Sequence, residues 1–326
     1  MTSGKDGGVV FLTARKGRTT MRSLRHLSEK RVTGVIDYPR LALFSSFRAS
    51  AVIICDVERM PPDYEARIAD VTRCWAALPH PPLILNAPPT PLRRYELLKK
   101  LFKLGVNKKD IHRLDDPYAI ENTTFPCFIR DEAGHHLTPD YPQLLNSRDE
   151  LLAEVENLRK AGLPTFGKII VEFEDTRDDT GMYCKYAYFR VADNYIPGHM
   201  FWNPDWFVKF PKPGLLTDRP DLVQRERNFI ETNPHKAEID HIFNVAGIDF
   251  GRIDYGVRAD GGIHVFEINT NPNLANIKIV APERKAYIVP SLARLHGAFE
   301  ALAEQHPCVK LQWPKDELIY RLKSQI

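Results

Sequence analysis

Asp254, Glu267 and Asn269 are the residues of this chain whose types and spacing most clearly point to chemistry. They lie in Gly251 to Asn273, GRIDYGVRADGGIHVFEINTNPN, where two period-two runs flank an Asp260-Gly261 turn, a strong short-range hairpin signal. A hairpin centred on that turn sets Asp254 opposite Glu267 and Arg252 opposite Asn269. The other face then pairs Ile253 with Ile268, Tyr255 with Phe266 and Val257 with His264. Arg252, Asp254, Glu267 and Asn269 share one face with Gly256 and Val265, and the opposite face is mostly apolar. Two carboxylates directly across from each other repel. A divalent cation between them removes the conflict, and carboxylate and amide oxygens suit Mg2+, usually completed by substrate phosphates. An edge hairpin with one solvated face alternates in the same way. The Glu/Asn pair facing an Asp, followed at once by the turn-forming run Thr270-Asn271-Pro272-Asn273, separates the metal reading from that one.

These residues have to be held by a larger frame. The chain has 326 residues and is 43% hydrophobic, enough for two or three lobes. Its net charge of +3 implies no strongly acidic or basic partner. A basic stretch (Arg15, Lys16, Arg18, Arg22, Arg25, Lys30, Arg31) reads as a solvated helix face rather than a nucleic-acid contact. With no long apolar span and no signal-like segment, a soluble cytoplasmic protein without membrane contact is expected. Five scattered cysteines without a CxxC fit reduced thiols. The P-loop spacing is absent.

Along the chain, strands are expected at Gly8 to Thr13, Ala49 to Val57 and Pro82 to Asn86. Helices are expected at Thr20 to Arg31, at Asp63 to Leu78, and from a Thr90 cap with Pro91 in the first turn through to Gly105. Strand and helix in alternation argue for an open parallel sheet. Further strands fall at Phe125 to Arg130, Lys168 to Glu174, Tyr183 to Ala192 and Tyr195 to Met200. Helices follow Ser147, which makes a capping box with Glu150, and occupy Arg219 to Glu231, His235 to Ala246, Val289 to Gln305 and Asp316 to Lys323. Adjacent histidines on a strand point apart, so His135-His136 is a poor transition-metal pair.

The hairpin resembles the C-terminal core of the ATP-grasp ligases, the group of glutathione synthetase, D-alanine–D-alanine ligase and RimK-like enzymes. Its pattern is Arg-hydrophobic-Asp, a turn, then hydrophobic-Glu-hydrophobic-Asn-Thr-x-Pro. The resemblance implies an α/β fold: an N-terminal open α/β lobe over 1–112, a two-lobed α+β ATP-grasp domain over 113–305 (lobes 113–180 and 181–305), and a tail with a short helix over 306–326. It implies that Asp254, Glu267 and Asn269 hold Mg2+, with Mn2+ as an alternative, and that Arg252 holds the reacting acyl group. Ile169 to Asp175 resembles the segment that reads adenine, so the main chain of Glu172 and Phe173 is expected at the base. Glu174 or Asp175 is expected at the ribose.

Arg130 stands where the group usually has a phosphate-binding Lys, and an Arg can grip phosphate bidentately. The loop after it, Asp131 to His136, lacks the glycine-rich cover of many relatives. Arg113 is a second basic candidate. Lys185 is expected to face the nucleotide, with Arg190 on the opposite face by alternation. His199 and Lys209 lie where relatives bring a basic residue toward the transferred group. Asn86-Ala87-Pro88 and Arg93-Arg94 resemble a substrate-holding edge, and read equally as a strand-to-helix turn. The implied activity is ATP-dependent ligation of a small-molecule carboxylate to an amine, or a thiol, through an acyl phosphate. A small-molecule kinase on the same scaffold and a nucleotide-binding module without turnover are the competing readings. The substrates and any homo-oligomer are left open.

Overall fold

A computed structural model describes residues 8–14, 32–41, 46–134, 142–209, 212, 214–273 and 280–312. The helices expected at Thr20 to Arg31 and Asp316 to Lys323, the basic stretch at 15–31 and the His135-His136 pair lie outside the described residues.

Short apolar runs with no polar alternation need both faces covered, and they build the N-terminal sheet. Strands β1 (Val9–Thr13), β2 (Val32–Asp37), β4 (Ala51–Ile54) and β5 (Leu83–Leu85) pair in parallel in the order β2-β1-β4-β5. The apolar run from Ala49 to Val57 is not one strand. It breaks at Ser50 between β3 (Ser46–Ala49) and β4 and ends in a 3-10 turn at Val57–Arg59. Strand β3 pairs instead with β13 (Val309–Gln312). Helix α1 (Pro62–Ala76) buries Ile68, Val71 and Trp75 on one side, as period 3.6 requires.

Helix α2 (Arg94–Lys103) starts later than a Thr90 cap predicts. The Thr90 N–H bonds the Ala87 carbonyl in a turn, and Arg93 is the residue that caps the helix. Its buried stripe is Leu97, Leu98 and Leu101, with Arg94 buried at its first turn. The Ser147 cap appears as expected. Its hydroxyl accepts the Glu150 N–H at the start of α3 (Arg148–Lys160), and the Glu150 carboxylate accepts the Asn146 N–H in return.

Two antiparallel sheets form the rest. One has the order β6-β8-β7, from β6 (Ile111–Arg113), β7 (Cys127–Asp131) and β8 (Lys168–Glu172). The other has the order β10-β9-β11-β12, from β9 (Tyr183–Val191), β10 (Asn194–Asn203), β11 (Phe250–Val257) and β12 (Ile263–Asn269). Helices α4 (Pro220–Thr232), α5 (Lys236–Ala246) and α6 (Lys285–Gln305) pack on the apolar back of the second sheet. One core runs from Phe11 of β1 through Phe250 of β11 to Phe299 of α6, with ring centroids 5.8 Å apart at each contact. Asn86, fully buried, ties the parallel sheet directly to the second antiparallel sheet. Its amide donates to the Ile54 and Phe250 carbonyls and accepts the Asp249 and Phe250 N–H groups. That use of the side chain is structural, as a strand-to-helix junction would have it.

Candidate nucleotide and metal site

A cavity lies between the two antiparallel sheets, with Arg130, Lys185, Asp254 and Glu267 at one end and Phe128, Phe173 and Trp206 in its wall. Register explains why the charged residues converge. Arg252 pairs with Asn269 and Asp254 with Glu267 across β11 and β12, as the turn-centred hairpin predicts. On its other side β11 sets Asp254 beside Ala187 and Arg252 beside Phe189, so Lys185, two residues from Ala187, shares their face. Arg190 points away, to Asn244 and the Ile248 carbonyl.

Beyond Asp254 the register departs from expectation. A bulge shifts the pairing by one, so that Tyr255 faces Val265, Gly256 faces His264 and Val257 faces Ile263. Phe266 is the extra residue. The consequence is a face reversal. Val265 turns into the core with Tyr255, and His264 turns onto the site face, the opposite of the assignment by strict alternation. The buried Asn107 holds the bulged strand, its amide pairing with both the N–H and the carbonyl of Val265 at 2.9 and 3.0 Å. Gly256 is required beside it, because a Cβ there would meet the Thr176 side chain at 2.7 Å.

The repulsion between the paired carboxylates is answered by four cationic side chains. Arg252 grips both oxygens of Asp254 at 2.7 and 3.1 Å, and Lys185 stands 3.5 Å away. Arg94 and Arg130 reach Glu267 at 2.5 and 3.1 Å. Burial, and next the neighbouring Arg94, pull Arg130 down to about 10, against the opposing Glu267 carboxylate, so it stays charged at neutral pH. Arg94 was not among the site residues expected from the sequence. The sequence offered Arg94 only as half of the Arg93-Arg94 pair of a substrate-holding edge, not as a partner of Glu267. Arg94 also donates to the carbonyls of Asp131, Glu132 and Gly134, which ties α2 to the end of β7 and the segment after it.

The donor chemistry fits Mg2+. Asp254, Glu267 and the Asn269 amide offer oxygen atoms only, on adjacent rigid strands. The Asn269 side-chain oxygen already accepts the Asn271 N–H at 2.8 Å, which fixes its direction. Among the described residues no group of three or more His, Cys, Asp or Glu side chains has metal-binding geometry, so the amide is needed to complete the set.

The remaining expectations divide. The Phe173 ring lines the cavity and packs edge-on to Trp206 at 5.7 Å, but its N–H is committed to the Pro126 carbonyl. The Glu172 N–H likewise bonds the Asp110 carbonyl. The Glu172 carboxylate is structural. It accepts the Thr124 and Asp110 N–H groups at 2.8 and 2.9 Å beside His112 at 3.4 Å. Burial raises its pKa, and those hydrogen bonds outweigh burial and hold it at about 2.

Asp175 does not line the cavity. It pairs with Arg177 at the surface, and Glu174 is the carboxylate that faces in. Arg113 also falls outside the lining, 2.5 Å from Glu96 and stacked on Tyr95. His199 stacks on Phe201 at 3.9 Å on the site face. Burial, then Arg252, Lys185 and Arg284, hold its pKa well below the ordinary value. Lys209 does line the cavity.

No family model matches the chain, and no curated protein matches it. Solved structures do. The D-alanine–D-alanine ligase of Helicobacter pylori is 12% identical, with 93% of this chain and all of that one covered and a TM-score of 0.50. The ATP-grasp ligase PsnB, solved with a precursor peptide and AMPPNP, is 11% identical over 93% of this chain and 99% of that one, at a TM-score of 0.49. A carboxyaminoimidazole ribonucleotide synthase from Aspergillus clavatus, solved with ATP, is 12% identical over 88% of this chain and 77% of that one, also at 0.49. The chain has the fold of the ATP-grasp ligases.

Proposed function

We propose that the chain is an ATP-dependent carboxylate–amine ligase that works through an acyl phosphate. The observation that carries the reading is the Asp254–Glu267 pair, in direct register and ringed by Arg94, Arg130, Arg252 and Lys185. Four cations against two carboxylates leave an excess of two positive charges at one end of a cavity whose wall is aromatic. That combination suits a magnesium-chelated triphosphate carrying a flat base.

In this reading Asp254, Glu267 and Asn269 hold Mg2+, which supplies charge neutralisation at the phosphates; Mn2+ meets the same oxygen donors. Arg130 and Lys185 neutralise phosphate oxygens, and such positioned charge is most of what a protein contributes to phosphoryl transfer. The aromatic wall of Phe128, Phe173 and Trp206 takes the base. Arg252 has to release Asp254 in part to reach a substrate. A guanidinium freed beside the phosphates orients the acyl group and its tetrahedral adduct, and that favours ligation over phosphorylation alone. The acid carboxylate takes the γ-phosphoryl group and ADP leaves. The amine nitrogen then bonds the acyl carbon, phosphate departs with the C–O electron pair, and the proton the nitrogen sheds ends on the released phosphate.

Incubation with MgATP and pools of amino acids and small carboxylates tests this, with ADP followed by coupled assay and products by mass spectrometry. Acid-dependent ADP release with an amide product is expected. A phosphorylated acceptor without amide would overturn ligation in favour of a kinase. Nucleotide binding without ADP from any pool would leave a binding module.

A further inference from the structure

Each side chain assigned to Mg2+ in the reading above is already engaged by another part of the fold. Arg252 closes a fork on Asp254, with Nε 2.7 Å from Oδ1 and one terminal nitrogen 3.1 Å from Oδ2. Its other terminal nitrogen donates to the Asn273 carbonyl at 3.1 Å, so every nitrogen of the guanidinium is committed. Lys185 lies 3.5 Å from the same Oδ2. Arg94 and Arg130 both reach Oε2 of Glu267, and the Asn269 oxygen accepts the Asn271 N–H. None of the charged side chains in this set is more than 16% exposed.

Charge decides what such a site can accept. Four cations and two carboxylates carry an excess of two positive charges. A divalent cation arriving by itself would double that excess where little water screens it. It would also have to displace a bidentate arginine from Asp254, and bidentate charge-assisted contacts are among the strongest a carboxylate makes. A triphosphate carries about four negative charges at neutral pH. Its oxygens compete with Asp254 and Glu267 for the same guanidinium and ammonium groups. Each cation drawn toward phosphate uncovers carboxylate oxygen for a metal. Triphosphate and one divalent cation together bring the sum to about zero.

We propose that Arg252, backed by Lys185, keeps free divalent cations off Asp254, so that the metal enters only together with the nucleotide. The Arg252 guanidinium holds the place of the metal at Asp254 until phosphate oxygens claim it. The inference rests on the metal and nucleotide reading above and adds the condition under which the metal is admitted. Metal and nucleotide then tighten each other, as any two ligands coupled through one equilibrium must.

Calorimetric titration of wild type, Arg252→Gln and Lys185→Gln tests this, with two probes and no acid or amine present. The probes are Mn2+ alone, which meets the same oxygen donors, and Mn2+-AMPPNP. Wild type is expected to bind Mn2+-AMPPNP and to show no saturable binding of Mn2+ alone up to about 1 mM. Arg252→Gln should bind Mn2+ alone at least about tenfold more tightly than wild type and Mn2+-AMPPNP at least about tenfold more weakly. Opposite signs for the two probes are not what the loss of a merely structural contact produces. Lys185→Gln should move both in the same directions by less, and it carries the test if Arg252→Gln does not fold, as its thermal midpoint reports. Micromolar binding of Mn2+ alone by wild type overturns the inference and leaves the metal reading standing. So does an affinity for Mn2+ alone that neither folded variant raises. If wild type binds neither probe, both fall.

Discussion

Arg94 lies 2.5 Å from Glu267 although 173 residues separate them in the chain. One guanidinium thereby joins the first turn of α2, three backbone carbonyls at and just after the end of β7 and the carboxylate of β12. The antiparallel sheets on either side of the cavity are coupled through a helix that belongs to neither.

Replacing Arg94 should therefore cost stability before it costs chemistry. Arg94→Ala leaves three carbonyls without this donor and Glu267 with Arg130 as its remaining arginine. A loss of about 3 kcal/mol is expected, the lower end for a broken buried pair. Urea unfolding measures it. A loss below 1 kcal/mol, on the scale of an exposed ion pair, would mean the contact is not what couples the sheets.

Asp254→Asn and Glu267→Gln keep size and shape while removing charge. Each should lower MgATP turnover at least a thousandfold, on the order of 4 kcal/mol of barrier, with the melting temperature within a few degrees of wild type. A Mg2+ titration of each variant reads the cause, since a metal-ligand defect raises the Mg2+ requirement. Wild-type turnover in both would remove the metal assignment.

Glu172 predicts an acid-dependent term. Its folded pKa, about 2, is below the unfolded value near 4.5. Its contribution is thus fully present above about pH 4.5 and is lost as pH falls through 2. A depression of that size is worth roughly 3 kcal/mol. Urea midpoints of wild type and Glu172→Gln should differ most at pH 6 and converge toward pH 2. A gap independent of pH would show that the carboxylate's charge is not what the His112, Thr124 and Asp110 contacts stabilise.

Asn107 holds the bulge from outside the sheet. Asn107→Ala strips both hydrogen bonds from Val265 and should cost about 1–3 kcal/mol through unpaired backbone groups. Because the bulge directs His264, nucleotide binding should weaken as well, although Asn107 bonds only the Val265 main chain there. Unchanged unfolding and unchanged nucleotide titration in this variant would mean that the bulge holds itself.

Local patterns carried much of this protein in its amino-acid order. Period-two alternation put Arg252, Asp254, Glu267 and Asn269 on one face, and their expected register holds because the extra residue at Phe266 makes up a one-residue shift nearer the turn. The same holds for Lys185 against Arg190, for the Ser147 cap and for strands β1 and β5, all signals contained within one element or turn.

Tertiary structure decided the rest, where the outcome depends on a partner distant in the chain. Alternation has no means of announcing the extra residue at Phe266. Tyr255 is accommodated in a core built by other elements and Asn107 pins Val265 from before β6, so His264 turns onto the site face and the Val265 side chain turns into the core. Asp175 and Arg113 were lost to the site because nearer charges, Arg177 and Glu96, hold them elsewhere. Arg94 was gained because a buried guanidinium has to find its acceptors wherever packing brings them, and here it brings Glu267.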